Sequence, residues 1–313
     1  MIARMTRGEI GDQGKDATGS AWASLPVVFG IWLVSVAFVF FPVSLLLTDW
    51  VSDTQYSNLL NLMKEPVFVA IFGGSVGLWT LVAPLLLTST ADRLVWMRRL
   101  GCRELTPSES GRLDPLWQEV FQRARIHPDA YRLKMSDQPV QNAFAVGDGV
   151  ITLDQGILEM DDADLKAIMA HELGHHVRRH TQVNALAVWF GAPARILYGV
   201  LLFLVFGLIR IAGSLSGCSW ALLFLLFALM LAVPAIALFL LLGIAQLLIR
   251  LLDRKAEFEA DLFSAETGYR VEMIDALAEL REIYGEPEKN KPWSPARLGS
   301  THPPFTDRIE ALS

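Results

Sequence analysis

Long stretches without a charged residue are the feature that most constrains what this chain can fold into. Leu25–Leu47 and Val67–Leu87 contain no Asp, Glu, Lys or Arg. Each is long enough to cross roughly 30 Å of hydrocarbon as a helix that rises about 1.5 Å per residue. Trp220–Ile249 is longer than one crossing needs, which predicts that it tilts in the membrane or extends beyond the lipid.

A fourth apolar segment, Ala185–Ile209, is interrupted by Arg195, with Pro193 close before it. We interpret it as a helix that leaves the body of the protein before entering lipid, with Arg195 reaching back to the interface. In the alternative interpretation, Arg195 lines a cavity between helices that admits substrate. In both cases we expect four membrane-spanning helices.

The composition agrees with a membrane protein and excludes several other classes. Hydrophobic residues make up 52% of the chain and charged residues 19%, whereas a typical soluble protein carries about 25% charge. The net charge of −6 argues against a basic nucleic-acid-binding surface. Two cysteines, Cys102 and Cys218, cannot form a disulfide framework or a cysteine-rich zinc module.

The Lys and Arg residues near the ends of these segments predict the orientation, because cytoplasmic loops carry an excess of positive charge. Only Lys64 and Arg210 lie on one side. The other side carries Arg4, Arg7, Lys15, Arg93, Arg98, Arg99, Arg103, Arg178, Arg179, Arg250, Arg254 and Lys255. Both termini and both polar blocks are therefore expected in the cytoplasm, with Cys102 inside and Cys218 outside.

The polar sequence is split by the second pair of apolar segments. We expect its two parts to fold together into one cytosolic domain, since neither is long enough to stand comfortably alone. The predicted organisation is a cytosolic tail (1–24), two transmembrane helices (25–88), a first domain part (89–182), two further transmembrane helices (183–249) and a second domain part (250–313).

A metal-binding motif lies in the first polar part. His171-Glu172-Leu173-Gly174-His175 matches the HExxH pattern, in which two histidines of one helical face bind zinc and the glutamate acts as general base. Acidic residues at 161–164 predict the start of this helix. A catalytic zinc site needs a third protein ligand and one open position.

The residues that follow the motif do not supply this third ligand. A metzincin would place it at Thr181 and would have a glycine at Arg178, so that class is excluded. On a continuous helix His176 and His180 point away from the ligand face. We interpret both histidines as solvated or capping residues.

A better third ligand lies directly after the last apolar segment. Ala256-Glu257-Phe258-Glu259-Ala260-Asp261 places Glu257 and Asp261 on one face of a helix. Glu257 is the predicted ligand, and Asp261 is expected to accept the second ring N–H of a ligand histidine. Glu259 remains the alternative ligand.

These motifs together resemble the integral-membrane gluzincin zinc metallopeptidases, the family of the HtpX heat-shock protease and the CaaX prenyl endopeptidases. The resemblance is carried by HELGHH, by EFEAD, by Asn142–Ala145 and by Ser300-Thr301-His302-Pro303-Pro304. It implies a mainly α fold with a small β-sheet (α+β), a gluzincin-type peptidase domain with about four transmembrane helices, and one Zn²⁺ per chain. The short chain and four spans favour the HtpX-like type, in a bacterial inner membrane, with the active site facing the cytoplasm.

Two residues near the C-terminus are further candidates for the site, and the resemblance implies a role for the first of them, His302. A bound zinc would activate water for attack on a peptide carbonyl, with Glu172 as the general base. His302 is the candidate donor to the oxyanion; the alternative is a cap on the following helix. Arg308 either supports the oxyanion or pairs with a ligand carboxylate.

Short strands are predicted at Tyr131–Met135, Asn142–Val146 and Val150–Leu153, the last two joined by a glycine-rich turn. By resemblance, the second strand is an exposed edge that pairs with an extended substrate backbone. The residues implied in substrate binding are Asn142, Ala143, Phe144 and Ala145. The alternative is an ordinary inner strand.

The sequence thus predicts a membrane-bound zinc endopeptidase that acts on membrane or membrane-associated proteins, with a role in protein quality control or stress response. An intramembrane protease is disfavoured because Lys166, Arg178 and Arg179 flank the motif. The sequence is also compatible with a dedicated processing enzyme, and with a signalling or scaffold protein that carries a vestigial metal site. The expected partners are polypeptide substrates and the lipid bilayer, without nucleic acid.

Overall fold

The computed structural model describes residues 23–51, 59–87, 98, 101–147, 149–215, 219–286 and 302–313. Most of the predicted N-terminal tail, the residues directly before His302 and Cys218 lie outside this part of the chain. The described residues form two compact units. One includes residues 86–185 and 249–313, and the other comprises 26–85 and 186–248.

The second unit contains the apolar helices. Helix α1 (Leu25–Ser35) continues through a π-helical turn into α2 (Phe41–Val51), and a short α3 (Leu59–Met63) precedes α4 (Pro66–Leu87). Four helical stretches of the described chain are long and apolar enough to cross a membrane: Leu25–Val51, Pro66–Leu86, Ala192–Ser214 and one that begins at Ser219. Many of their large apolar side chains are exposed, Phe203 to 76% and Leu81 to 69%, as expected of surfaces that face lipid. The chain is a multi-pass membrane protein.

The third span begins later than the sequence predicts. The predicted segment from Ala185 is divided at Gly191 into α7 (His180–Phe190) and α8 (Ala192–Ser214). Pro193 lies in the first turn of α8, where its missing N–H costs no helical hydrogen bond. Arg195 donates to the carbonyl oxygens of Ala187 and Val188 at 2.9 and 2.7 Å. Its guanidinium therefore supplies hydrogen bonds to carbonyl groups near the C-terminus of α7.

The last apolar segment extends well beyond its hydrophobic part. Helix α9 (Ser219–Ser264) is continuous over 46 residues, so the residues around Glu257 belong to the same helix as the apolar run. A π-helical turn (Ala265–Tyr269) then leads into α10 (Arg270–Tyr284). Helix α11 (Phe305–Leu312) follows near the C-terminus.

The first unit combines helices with a four-stranded sheet. Strands β1 (Cys102–Arg103), β2 (Arg132–Ser136), β3 (Ala143–Val146) and β4 (Val150–Asp154) are arranged in the order β1-β2-β4-β3. β2 and β4 are parallel, and the two outer pairs are antiparallel. β3 therefore lies at an edge of the sheet within the described residues.

The core of this unit is formed by the sheet and the helices packed on it. Helix α5 (Pro107–Ala124) begins with a capping box between Thr106 and Glu109 and buries Trp117 and Phe121. Helix α6 (Asp162–Val177) begins with the predicted acidic turn and buries most of its side chains. The helix that carries the HExxH motif is thus packed between the sheet and the other helices of this unit.

Candidate active site

Three side chains predicted as metal ligands come together at one point. His171 and His175 of α6 lie with their Nε2 atoms 3.2 Å apart. Glu257 of α9 places Oε1 at 3.4 Å from the Nε2 of His175 and Oε2 at 3.6 Å from the Nε2 of His171. These donor atoms lie within 4.8 Å of one another. Two imidazoles and one carboxylate form the donor set of a catalytic zinc site with one position left open.

A close contact between helices allows this arrangement. A Cβ atom on Gly174 would lie 3.1 Å from Phe263 Cβ and 3.2 Å from Ala260 Cα, tighter than ordinary van der Waals contact. The glycine of the motif therefore lets α6 approach α9 closely. This approach brings Glu257 to the two histidines.

Glu257 is an ionised carboxylate in a buried position. Burial alone would raise its pKa, but the positive charges of His302 and Arg308 hold the pKa of Glu257 well below its usual range. His302 Nδ1 lies 2.8 Å and Arg308 3.2 Å from Oε2. Although Oε2 makes these ionic contacts, it accepts no hydrogen bond of good geometry. A buried anionic oxygen with this unmet capacity suits a divalent cation.

Asp261 holds the other side of His171. Its carboxylate lies 2.9 Å from the Nδ1 of His171 and accepts two hydrogen bonds from Arg308, at 2.6 and 2.7 Å. Burial raises the pKa of Asp261, but Arg308 outweighs it and the net shift is downward. An ionised carboxylate on Nδ1 leaves Nε2 of His171 as the ring nitrogen available to a metal ion.

Arg308 therefore pairs with carboxylates of the metal site. Its guanidinium is buried and contacts both Asp261 and Glu257. Of the two roles left open by the sequence, the observed contacts are those of a charge partner for the ligand carboxylate. His302 does not cap α11, since Pro304 is the N-cap residue and the N–H of Thr306 in the first turn donates to the carboxylate of Glu286 at 2.7 Å. The side chain of His302 is 56% exposed, on the open side of the site.

A cleft of about 470 Å³ opens directly onto this group of residues. Glu172, His171, Glu257, His302 and Arg308 line it together with Asn142 and Ala143. Its remaining wall is largely apolar and includes Ile157, Ile168, Met273, Leu277, Leu280 and Phe305. Glu172 is buried at 6% exposure and reaches the cleft beside the ligand histidines. A polypeptide bound here would meet Glu172, His302 and the three candidate metal ligands at one position.

The free edge of β3 borders the same cleft. The N–H of Asp154 in β4 donates to the carbonyl of Asn142 at 2.9 Å. Because hydrogen-bonded pairs alternate along antiparallel strands, the backbone groups of Phe144 and Val146 also point toward β4. The backbone groups of Ala143 and Ala145 therefore point away from β4. At the start of this edge, the hydroxyl of Tyr284 bonds to both the N–H and the carbonyl of Gln141.

Two neighbouring histidines differ from their predicted environment. His176 is buried and contacts the Val150 carbonyl at 2.9 Å and Thr181 at 3.0 Å. His180 is also buried, and it contacts His175 and Glu259. The prediction that both are solvated or capping residues is wrong. His176 faces β4 from within α6, whereas His180 follows the end of α6 at Val177 and a left-handed turn at Arg179 (φ 63°) that directs it to His175. Glu259, the alternative ligand, is directed to His180.

The sequence analysis missed the contacts of His180 with His175 and Glu259. The only available signal was its spacing of five residues from His175. That spacing is informative only if the helix breaks between them, and an arginine does not usually mark a left-handed turn.

The chain is similar to several known proteins. The family model for peptidase family M48 matches residues 107–313. Protease HtpX of Xanthomonas euvesicatoria pv. vesicatoria is 26% identical over 293 residues, which cover 84% of this chain and 88% of that protein. A protease HtpX homolog of Tropheryma whipplei is 30% identical over 238 residues, covering 68% of this chain and 75% of that protein. The crystal structure of S. mikatae Ste24p is similar to 77% of this chain and 58% of its own, with 15% identity and a TM-score of 0.48.

Proposed function

Because the chain belongs to peptidase family M48 and is a membrane-bound metalloprotease, we propose that His171, His175 and Glu257 bind one zinc ion and that the site hydrolyses peptide bonds of membrane or membrane-associated proteins. The observation that carries this proposal is the convergence of three ligand atoms within 4.8 Å at the wall of an open cleft. A buried helix with merely satisfied histidines would not need such a cleft, nor Glu172 beside it.

The chemistry divides among the residues of the site. Bound zinc would act as a Lewis acid that polarises the scissile carbonyl and lowers the pKa of water. Glu172 takes the proton of the attacking water and returns it to the leaving amine, a role that typically contributes about 10²–10⁴-fold in rate. His302, open to the cleft, donates to the developing oxyanion. Asp261 and Arg308 keep His171 and Glu257 in place.

Substrate is held by its backbone. The outward N–H and carbonyl groups of Ala143 and Ala145 pair with an extended segment, as in other cases of strand addition. Because Tyr284 already occupies the outward groups of Gln141, this pairing begins at Ala143. Main-chain recognition places little demand on sequence and suits unfolded polypeptides, which supports a role in protein quality control over a dedicated processing role.

The proposed location is a bacterial inner membrane, with the active site in the cytoplasm. The support is the twelve-to-two distribution of Lys and Arg around the apolar segments, which predicts that both polar parts remain on the cytoplasmic side. Cytoplasmic exposure is testable by labelling single cysteines introduced on the surface of the peptidase unit in intact cells and in inverted vesicles. Labelling from outside intact cells would contradict this orientation.

The function is tested with Glu172→Gln in the purified full-length protein. We expect cleavage of an unfolded protein substrate to fall at least about 10²-fold, while the zinc content stays at one per chain. Glu266→Gln is the matched control, since Glu266 is 56% exposed and pairs only with Arg178 among the described ion pairs. Unaltered cleavage by Glu172→Gln would reject the mechanism. Absence of zinc from the wild-type protein would reject the metal site.

A further inference from the structure

A series of contacts between three side chains beside the site, His175, His180 and Glu259, is not used by the mechanism above. The Nδ1 of His175 lies 3.4 Å from the Nδ1 of His180, and the Nε2 of His180 lies 3.1 Å from Oε2 of Glu259. The side chain of His180 is 6% exposed and that of Glu259 19%. The series of contacts thus starts at a proposed zinc ligand and ends at a partly buried carboxylate.

The ring hydrogens of His175 and His180 can be assigned from Glu259, the last member of the series. An ionised carboxylate only accepts hydrogen bonds, so Nε2 of His180 must carry the hydrogen that Glu259 accepts. A neutral imidazole has one N–H and one acceptor nitrogen, so Nδ1 of His180 is then an acceptor. The facing Nδ1 of His175 must therefore be the donor. This tautomer of His175 carries no hydrogen on Nε2, the nitrogen that faces His171 and Glu257.

On this basis, and resting on the proposed zinc site, we infer that His180 and Glu259 are positioning residues that fix the tautomer and ring orientation of His175 for metal binding. They serve His175 as Asp261 serves His171, with an imidazole inserted between the ligand and the carboxylate. Residues that hold the second nitrogen of a ligand histidine typically contribute about 10- to 100-fold to metal affinity.

Local backbone structure makes this contact possible. Arg179, whose backbone is in the left-handed region, turns the chain between α6 and α7. This turn places the ring of His180 next to the ring of His175. Their rings meet edge to face, with centroids 5.6 Å apart. Glu259 lies on α9 two residues after Glu257, and Lys255 holds its second oxygen at 3.8 Å.

His180 does not act as a ligand for the same ion. It faces the Nδ1 side of the His175 ring, whereas the other ligand atoms surround Nε2. An ion bound at Nε2 of His175 lies across the ring from His180. The influence of His180 on the metal therefore passes through His175.

The inference is tested by zinc affinity, measured by competition with a chromogenic chelator on the full-length protein in detergent. We expect His180→Ala and Glu259→Ala each to weaken zinc binding by about 10- to 100-fold. The double variant is expected to bind no more weakly than His180→Ala, because both residues act through one hydrogen bond to His175. Glu266→Ala is the control for loss of a carboxylate elsewhere and is expected to bind like the wild type.

Glu259→Gln distinguishes positioning from a general charge effect. Its amide oxygen still accepts a hydrogen bond from Nε2 of His180, so affinity is expected to return to within a few-fold of the wild type. This isosteric change also avoids the folding defect that an alanine at a packed position can cause. If Glu259→Gln binds zinc as weakly as Glu259→Ala, or if His180→Ala binds zinc with wild-type affinity, the inference is wrong. A wild-type protein that binds no zinc would instead overturn the proposed function.

Discussion

Replacement of Arg308 by methionine tests the electrostatic design of the site. Methionine is a similarly long, unbranched side chain, so the change mainly removes the charge. In the native protein the guanidinium makes two short hydrogen bonds to Asp261, at 2.6 and 2.7 Å, and lies 3.2 Å from Glu257. Removing one partner of a buried ion pair typically costs about 3–5 kcal/mol, because the remaining charge is left without compensation.

The loss should depend on zinc. Without the metal, Arg308→Met leaves the buried carboxylates of Glu257 and Asp261 with imidazoles alone as partners among the described ion pairs. Bound zinc supplies positive charge at Glu257, so we expect a smaller loss of stability in the zinc-loaded protein. A loss of about 3 kcal/mol lowers the unfolding temperature by at least 6 °C in a domain of 150–250 residues.

Thermal unfolding of detergent-purified protein, with and without zinc, measures both effects. Arg281→Met is the control, since Arg281 lies in the last turn of α10 and makes no ion pair among the described residues. We expect its effect to stay within about 1 kcal/mol. Equal destabilisation by the two variants, or a loss for Arg308→Met that is the same with and without zinc, would refute this account of the buried charges.

Three further predictions concern other parts of the peptidase unit. Ala143→Pro should reduce peptide cleavage strongly at unchanged zinc content, because it removes an N–H that points away from β4. Phe144→Pro should also lower the unfolding temperature, since it removes a hydrogen bond between β3 and β4. Equal stability of the two variants would contradict the deduced register. Gly174→Ala should weaken zinc binding, measured by chelator competition, because its Cβ pushes α6 away from Ala260. Burial, together with neighbouring acidic groups, raises the pKa of Asp164 to about 6. Its native pKa lies above the unfolded value, so its ionisation destabilises the fold as pH rises from about 4 to 7. Asp164→Asn should therefore raise the unfolding temperature at pH 7 and leave it nearly unchanged at pH 4.

The membrane helices could be predicted from the sequence because their signal is local. Few structures other than a membrane-spanning helix accommodate an uncharged run of about twenty residues, and all four predicted segments contain a helix of sufficient length. The error at Ala185 arose because hydropathy does not register a helix break. Gly191 and Pro193 marked this break, but the contact of Arg195 with the carbonyl groups of α7 has no signal in the sequence.

The site was predictable where one helix or one short motif sets the geometry. The spacing of His171 and His175 fixes their shared face whatever surrounds them. The environments of His176 and His180 were not predictable, because they depend on a turn at Arg179 that no residue preference signals. The contact of Arg308 with Asp261 joins distant parts of the chain, so the sequence left carboxylate pairing as one of two alternatives, and the position of α11 in the folded protein shows the contact.

The separation of the two histidines from Glu257 has a consequence for biosynthesis. A nascent chain that has left the ribosome through His180 carries imidazoles but no carboxylate to complete the site. Helix α8 and most of α9 must be translated before Glu257 emerges, and Arg308 follows later still. On the proposed zinc site, proteolytic competence therefore arises only after the hydrophobic helices have been made.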